Sequence, residues 1–312
     1  MQIVLYILVL VAGFVLLIKG SDWFVEGASS LATRFGIPQI VIGLTIVAMG
    51  TSLPEASVSI AAALNGSSAI SIGNIVGSNI INVCLILGIT ALLIKVPFEK
   101  DVSKVDMPFL LVITVLLLIM GITGHKIGRI EGIVMWLFFI GYLVYLFFRA
   151  KKNGGEEAAE DDKKPLSIGF IILFLVVGAA AVVAGSRLTV YSATELAKVF
   201  GISDRIIALT VVAFGTSLPE LATSVTAALK KKSDIAVGNI VGSNIFNILF
   251  VIGTTALISP VTFSPHFIID TVISAVITLL FFALTLKNEY MYRRSGAFFL
   301  IGYAAYFVYL ML

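Results

Sequence analysis

The hexapeptide GTSLPE stands at 50–55 and again at 215–220, 165 residues further on. Each copy is followed at the same distance by GNIVGSNIxN, at 73–82 and 238–247. At that offset 50–92 and 215–257 share 25 of 43 residues, which makes the two stretches copies of one unit. Weaker matches extend the unit upstream: Gly20-Ser21 with Gly185-Ser186, and Phe35-Gly36-Ile37 with Phe200-Gly201-Ile202. The chain must therefore fold as two related halves. In each copy one glutamate, Glu55 or Glu220, stands in a segment almost free of other charge.

Apolar runs of about twenty residues recur along the whole chain and signal membrane-spanning helices. A length of 312 residues would allow two soluble domains, but 59 % hydrophobic and 12 % charged residues with a mean hydropathy of +1.08 reject that reading. The runs are too long for strands and lack period-2 alternation. Ten spans are predicted, near 2–20, 38–63, 69–94, 107–123, 128–149, 166–186, 204–229, 235–258, 266–286 and 294–312, the first and sixth continuing as helix toward 34 and 199. The first run lacks a basic leader and is long enough to span, so it reads as a helix rather than a signal peptide. The lone Cys84 sits in an apolar run and reads as a small core residue. A net charge of +3 is too small to suggest a nucleic-acid partner.

Residues 150–165, AKKNGGEEAAEDDKKP, form the longest polar break and read as a flexible linker between halves 1–149 and 166–312, five spans each. With the N-terminus outside, the inner loops hold 15 Lys and Arg and the outer loops 4, so the positive-inside rule places both termini outside and the linker in the cytoplasm. An odd number of spans per half makes the second copy enter the membrane from the opposite face. The expected fold is thus an all-α membrane protein with ten transmembrane helices in two inverted five-helix repeats, in the plasma membrane.

Glu55 lies 17 residues into its span, roughly 25 Å along a straight helix, and tilt or kinking keeps it within the bilayer. A carboxylate there costs at least about 2.5 kcal/mol unless compensated. No Lys or Arg lies within 38–94, 206–229 or 235–258, so a bound cation or a proton is the economical partner. Thr51 and Ser52 precede Glu55 by four and three residues and are expected on its helix face. Ser78 and Asn82 are four apart in the next span, and Thr216, Ser217, Glu220, Ser243 and Asn247 repeat the set. Pro54 and Pro219 free the carbonyls of Gly50 and Gly215, which are further oxygen ligands for a cation. An all-oxygen inventory argues against Zn, Cu or Fe and for Ca²⁺ or Na⁺. Gly73, Gly77, Gly238 and Gly242 add small-xxx-small faces for close helix approach.

These motifs, GTSLPE with GNIVGSNIIN and GTSLPE with GNIVGSNIFN, resemble the α-repeats of the cation/Ca²⁺ exchanger superfamily, and within it the prokaryotic Na⁺/Ca²⁺ exchangers. The resemblance covers essentially all ten spans. It implies a core of spans 2, 3, 7 and 8 across which spans 1 and 6 slide to alternate access. It implies a Ca²⁺ site of Glu55, Glu220, Thr51 and Thr216, and Na⁺ sites that add Ser52, Ser78, Ser217 and Ser243 with main-chain carbonyls near Ala48 and Ala213. Asn82 and Asn247 would line the central position, and the neutral amide at Asn247 resembles K⁺-independent exchangers. The resemblance also implies about three Na⁺ per Ca²⁺, hence electrogenic antiport without a cofactor.

Two other functions fit the same residues. In an H⁺/Ca²⁺ exchanger protonated glutamates would replace Na⁺, and internal carboxylates also occur in passive cation channels. An intramembrane enzyme lacks support, since no His-Glu-x-x-His, Ser–His or paired-Asp signature is present. His125 and His266 are expected in loops, and Asp22 and Glu26 at the charged end of the first span. Oligomeric state is open, and a monomer suffices for one central site.

Overall fold

The computed structural model describes residues 2–153, 165–201 and 213–311. Most of the expected linker, and 204–212 of the seventh expected span, lie outside the described residues. The described chain is mainly helical: α1 (Gln2–Phe35), α2 (Gln39–Thr51), α3 (Leu53–Leu64), α4 (Ala69–Leu93), α5 (Val102–Gly124), α6 (Arg129–Asn153), α7 (Ile168–Val199), α8 (Leu218–Leu229), α9 (Ser233–Ile258), α10 (Pro265–Lys287) and α11 (Arg293–Met311). Among the described residues eight helices are long and apolar enough to cross a membrane, or nine if the bent pair α2–α3 counts as one span. Helices suit such sequences because each backbone polar group is satisfied within its own segment.

Burial sorts these helices into a core and a jacket. Nearly all of the apolar part of α9 and most of that of α4 is buried, whereas α1, α6, α7, α10 and α11 expose large apolar side chains such as Leu8, Leu137, Val176 and Ile301. Gly238 and Gly242 let α2 press onto α9: a Cβ on either would come within 2.7 Å of a backbone oxygen, of Ile40 and Leu44 respectively. Helices α1 and α7 cross as closely, with Gly20 against Ala181, Gly178 against Phe24 and Gly185 against Leu17.

Two short antiparallel pairs, which the run lengths gave no reason to expect, tie the halves together. β1 (Val96–Pro97) pairs with β4 (Tyr290–Met291), and β2 (Lys126–Ile127) pairs with β3 (Val261–Thr262). At the 165-residue offset β1 falls on β3 and β2 within one residue of β4, and each pair takes one strand from each half.

Other elements differ in extent from expectation. α5 begins at Val102 rather than 107, because Asp106 is held inside the protein by Arg149 at 2.8 Å and the Tyr142 hydroxyl at 2.9 Å. α6 continues to Asn153, so the first four residues of the expected linker are helical, as their Ala and Lys favour. His125 ends α5 in a left-handed conformation, but His266 lies in the first turn of α10 rather than in a loop. Asp22 and Glu26 sit in the middle of α1, where Lys230 approaches both.

Candidate functional site

The helix break in each GTSLPE motif aims its glutamate. Ser52 leaves helical geometry at φ −85°, ψ 9°, and Ser217 does the same at φ −87°, ψ 2°, each just before a helix with proline in its first turn. The α2–α3 bend is 48°. The break makes Glu55 and Glu220 first-turn residues of α3 and α8, where the positive end of the helix dipole favours an anion. Both glutamates are fully buried.

Hydroxyls from both copies surround them. The Ser52 hydroxyl donates to Glu220 Oε1 at 2.8 Å, crossing between the copies instead of stacking on Glu55. The expectation that Thr51, Ser52 and Glu55 share one helix face therefore fails at the break. Ser78 donates to Glu55 Oε1 at 3.3 Å and its oxygen lies 3.1 Å from that of Ser217. Thr216 stands beside the Glu55 carboxylate, and Thr51 and Ser243 beside that of Glu220. Thr51 also donates to Asn239 Oδ1 at 2.9 Å, and Ser243 to the carbonyl of Ala48 at 3.4 Å. Ala213 opens a short helical turn, Ala213–Gly215. The carbonyl freed by Pro219, that of Gly215, accepts from the Ser186 hydroxyl at 2.7 Å and so has a partner within the protein, contrary to the expected free ligand.

Asparagines behind the glutamates hold their backbone and neighbouring serines. Asn74 donates to the backbone carbonyl of Glu55 at 3.2 Å and to Ser59 Oγ at 3.0 Å; its counterpart Asn239 donates to the carbonyl of Glu220 at 3.4 Å and to Ser224 Oγ at 2.9 Å. Asn79 and Asn244 hydrogen-bond to each other's main chain between α4 and α9. The residue-by-residue reading of the motifs passed over these six side chains. Their signal was available, since Ser59, Asn74 and Asn79 recur at 224, 239 and 244.

Among the described residues no hydrogen-bond donor reaches four buried oxygens at the centre: Glu55 Oε2, Glu220 Oε2, Asn82 Oδ1 and Asn247 Oδ1. They form two pairs at the 165-residue offset. Among the described residues no Lys or Arg pairs with either glutamate, and no group of three His, Cys, Asp or Glu side chains could hold a transition metal. Buried acceptors without donors are costly, and carboxylate and amide oxygens are the ligand types that hard cations take.

Residues 5–148 and 170–312 match the protein family described as "Sodium/calcium exchanger protein". Sodium/calcium exchanger MaX1 of Methanosarcina acetivorans is 36 % identical over 96 % of this chain and 97 % of its own. Inner membrane protein YrbG of Escherichia coli (strain K12) is 40 % identical over 82 % of this chain and 81 % of its own. A solved structure of the sodium-calcium exchanger NCX_Mj, soaked with zero Na⁺ and Ca²⁺, superposes with a TM-score of 0.86 at 33 % identity, covering 99 % of both chains.

Proposed function

The chain belongs to the sodium/calcium exchanger family, a family of membrane transporters rather than enzymes, and from that membership we propose that it is a secondary antiporter exchanging Na⁺ for Ca²⁺. The single observation that carries this reading is the set of four buried, donorless oxygens on Glu55, Glu220, Asn82 and Asn247. Two carboxylates balance the charge of one Ca²⁺, and with the hydroxyls of Thr51 and Thr216 they supply much of the six- to eightfold oxygen coordination that Ca²⁺ takes. Na⁺ ions occupy the same cluster with Ser52, Ser78, Ser217, Ser243 and the carbonyls of Ala48 and Ala213. Because both cations need the two carboxylates, filling by one displaces the other, which is the basis of exchange.

In this reading the chain has ten spans, arranged as inverted halves 1–149 and 166–312 about a cytoplasmic linker. The paired contacts at a constant offset support it: β1 with β4 mirrors β2 with β3, and Asn74 on Glu55 mirrors Asn239 on Glu220. Both termini face outward from the plasma membrane, as the basic-residue bias indicates. Helices α1 and α7 slide together across the core of α2–α4, α8 and α9, which alternates access. Exchange is electrogenic, with about three Na⁺ per Ca²⁺, and K⁺-independent, as the family resemblance and the neutral amide at Asn247 imply.

⁴⁵Ca²⁺ uptake into proteoliposomes under imposed Na⁺, H⁺ and K⁺ gradients tests it. An outward Na⁺ gradient is expected to drive uptake, and valinomycin-clamped voltage to change its rate. Uptake driven by a pH gradient in Na⁺-free buffer, or indifferent to every gradient, would refute Na⁺ coupling.

A further inference from the structure

Asn82 and Asn247 each carry one amide, with a donor end and an acceptor end of nearly equal size. Only the oxygen end attracts a cation, so the site depends on which way each amide is turned. The hydrogen-bond network leaves one answer. Main-chain carbonyls are acceptors only, and Asn79 Nδ2 lies 3.3 Å from the carbonyl of Asn244, while Asn244 Nδ2 lies 3.3 Å from the carbonyl of Asn79. Those two contacts fix Asn79 and Asn244 with their nitrogens on each other's backbone. Their Oδ1 atoms then face the site residues. Asn244 Oδ1 takes Asn82 Nδ2 at 2.9 Å, and Asn79 Oδ1 takes Asn247 Nδ2 at 3.2 Å. With their nitrogens held there, Asn82 and Asn247 present their oxygens away from the ring, and both are donorless. All four side chains are at least 96 % buried.

We infer that Asn79 and Asn244 are positioning residues that lock the amides of Asn82 and Asn247 with oxygen toward the transported cation. The inference rests on the proposed cation site and deepens it. The orientation starts at two backbone carbonyls and reaches the site through one side chain on each side.

The test exploits the symmetry of a carboxylate, which offers oxygen whichever way it turns. ⁴⁵Ca²⁺ alone is bound at equilibrium to purified full-length protein in Na⁺-free buffer. Asn79→Leu keeps the volume and removes the lock on Asn247, and Ca²⁺ affinity should fall about 10- to 100-fold, as for other residues that orient metal ligands. In the Asn247→Asp background the same Asn79→Leu change should cause no loss, because position 247 no longer has a donor end to restrain. An equal loss in both backgrounds would overturn positioning and leave Asn79 a packing residue. Should Asn79→Leu fail to run as a monodisperse protein, Asn79→Asp serves: its protonated carboxyl both donates to the Asn244 carbonyl and accepts from Asn247, so affinity should hold. A loss there equal to that of Asn79→Ala would refute the inference. Failure of the underlying site is distinguishable, since Ca²⁺ binding would then be unmoved by Asn247→Asp and by Glu220→Gln alike.

Discussion

Glu55 and Glu220 are the residues with the most to lose by being where they are. Each is fully buried, and among the described residues each keeps one oxygen without a donor. Nothing in packing requires two acids at this depth, so neutralising one should leave the fold intact. Glu55→Gln or Glu220→Gln is expected to abolish ⁴⁵Ca²⁺ uptake while the purified variant melts no lower than the parent in ion-free buffer. Parent protein at 100 times its Kd for Ca²⁺ should gain about 2.7 kcal/mol of stability, seen as a rise in melting temperature. The variants should show no such rise. Retained uptake at normal Ca²⁺ affinity would rule both glutamates out of the site. Asn247→Asp changes a ligand from amide to carboxylate and is expected to alter the cation profile, adding K⁺ or H⁺ sensitivity to uptake. An unchanged profile would remove Asn247 from the site.

The elements explain why some of this was legible before any coordinates. Long apolar runs permit little except helix, so the helices among the described residues lie within a few residues of the expected spans, from α1 ending at Phe35 to α7 ending at Val199. The glutamates and their serines could be named because a repeated polar residue in an apolar run has few other reasons to exist. What periodicity does not carry is which copy a side chain reaches. A helix wheel puts Ser52 beside Glu55, but the break at Ser52 turns it onto Glu220 instead. Contacts of residues far apart in sequence were equally hidden, above all the clamp joining α5 to α6. There Arg149 meets Asp106 at 2.8 Å and Glu99 at 2.9 Å, with Asp101 at 3.3 Å. Asp106 is fully buried, so removing its partner strands a charge. Arg149→Ala is expected to cost about 3–5 kcal/mol in detergent-solubilised unfolding. Pairing Arg149→Met with Asp106→Leu should recover much of that loss, which a role for Arg149 confined to its exposed neighbours would not produce.

As a whole, the molecule departs from the symmetry of its sequence, and the departure falls on the faces of α1 and α7. On the face nearer the linker, α1 lies against α8, and Lys230 bridges to it through the Asp22 carbonyl at 2.8 Å, with Asp22 Oδ1 at 3.4 Å and Glu26 at 3.7 Å. The residues that correspond to Asp22, Glu26 and Lys230 on the opposite face are Arg187, Tyr191 and Asn65, which cannot form the same charged bridge. There Arg187 and Tyr191 line a cavity of about 290 Å³ with Pro54, Ser57, Val58 and Thr216. Thr216 is one of the candidate site residues, so the cavity borders that site on the face away from the linker. Val58 is accordingly 42 % exposed, while its counterpart Thr223 is fully buried beneath α1. The native Cys84 is buried, so introduced cysteines can be read without background. In oriented proteoliposomes Val58→Cys should react with an impermeant maleimide added at the face opposite the linker, and Thr223→Cys should react from neither face. The Lys230 bridge is partly exposed and worth at most about 1 kcal/mol, so Lys230→Gln should raise Thr223→Cys labelling from the linker face by no more than about fivefold. Equal reactivity of the two cysteines from both faces would mean that the cavity is not the entrance to the site, and that α1 and α7 do not gate opposite ends of one path.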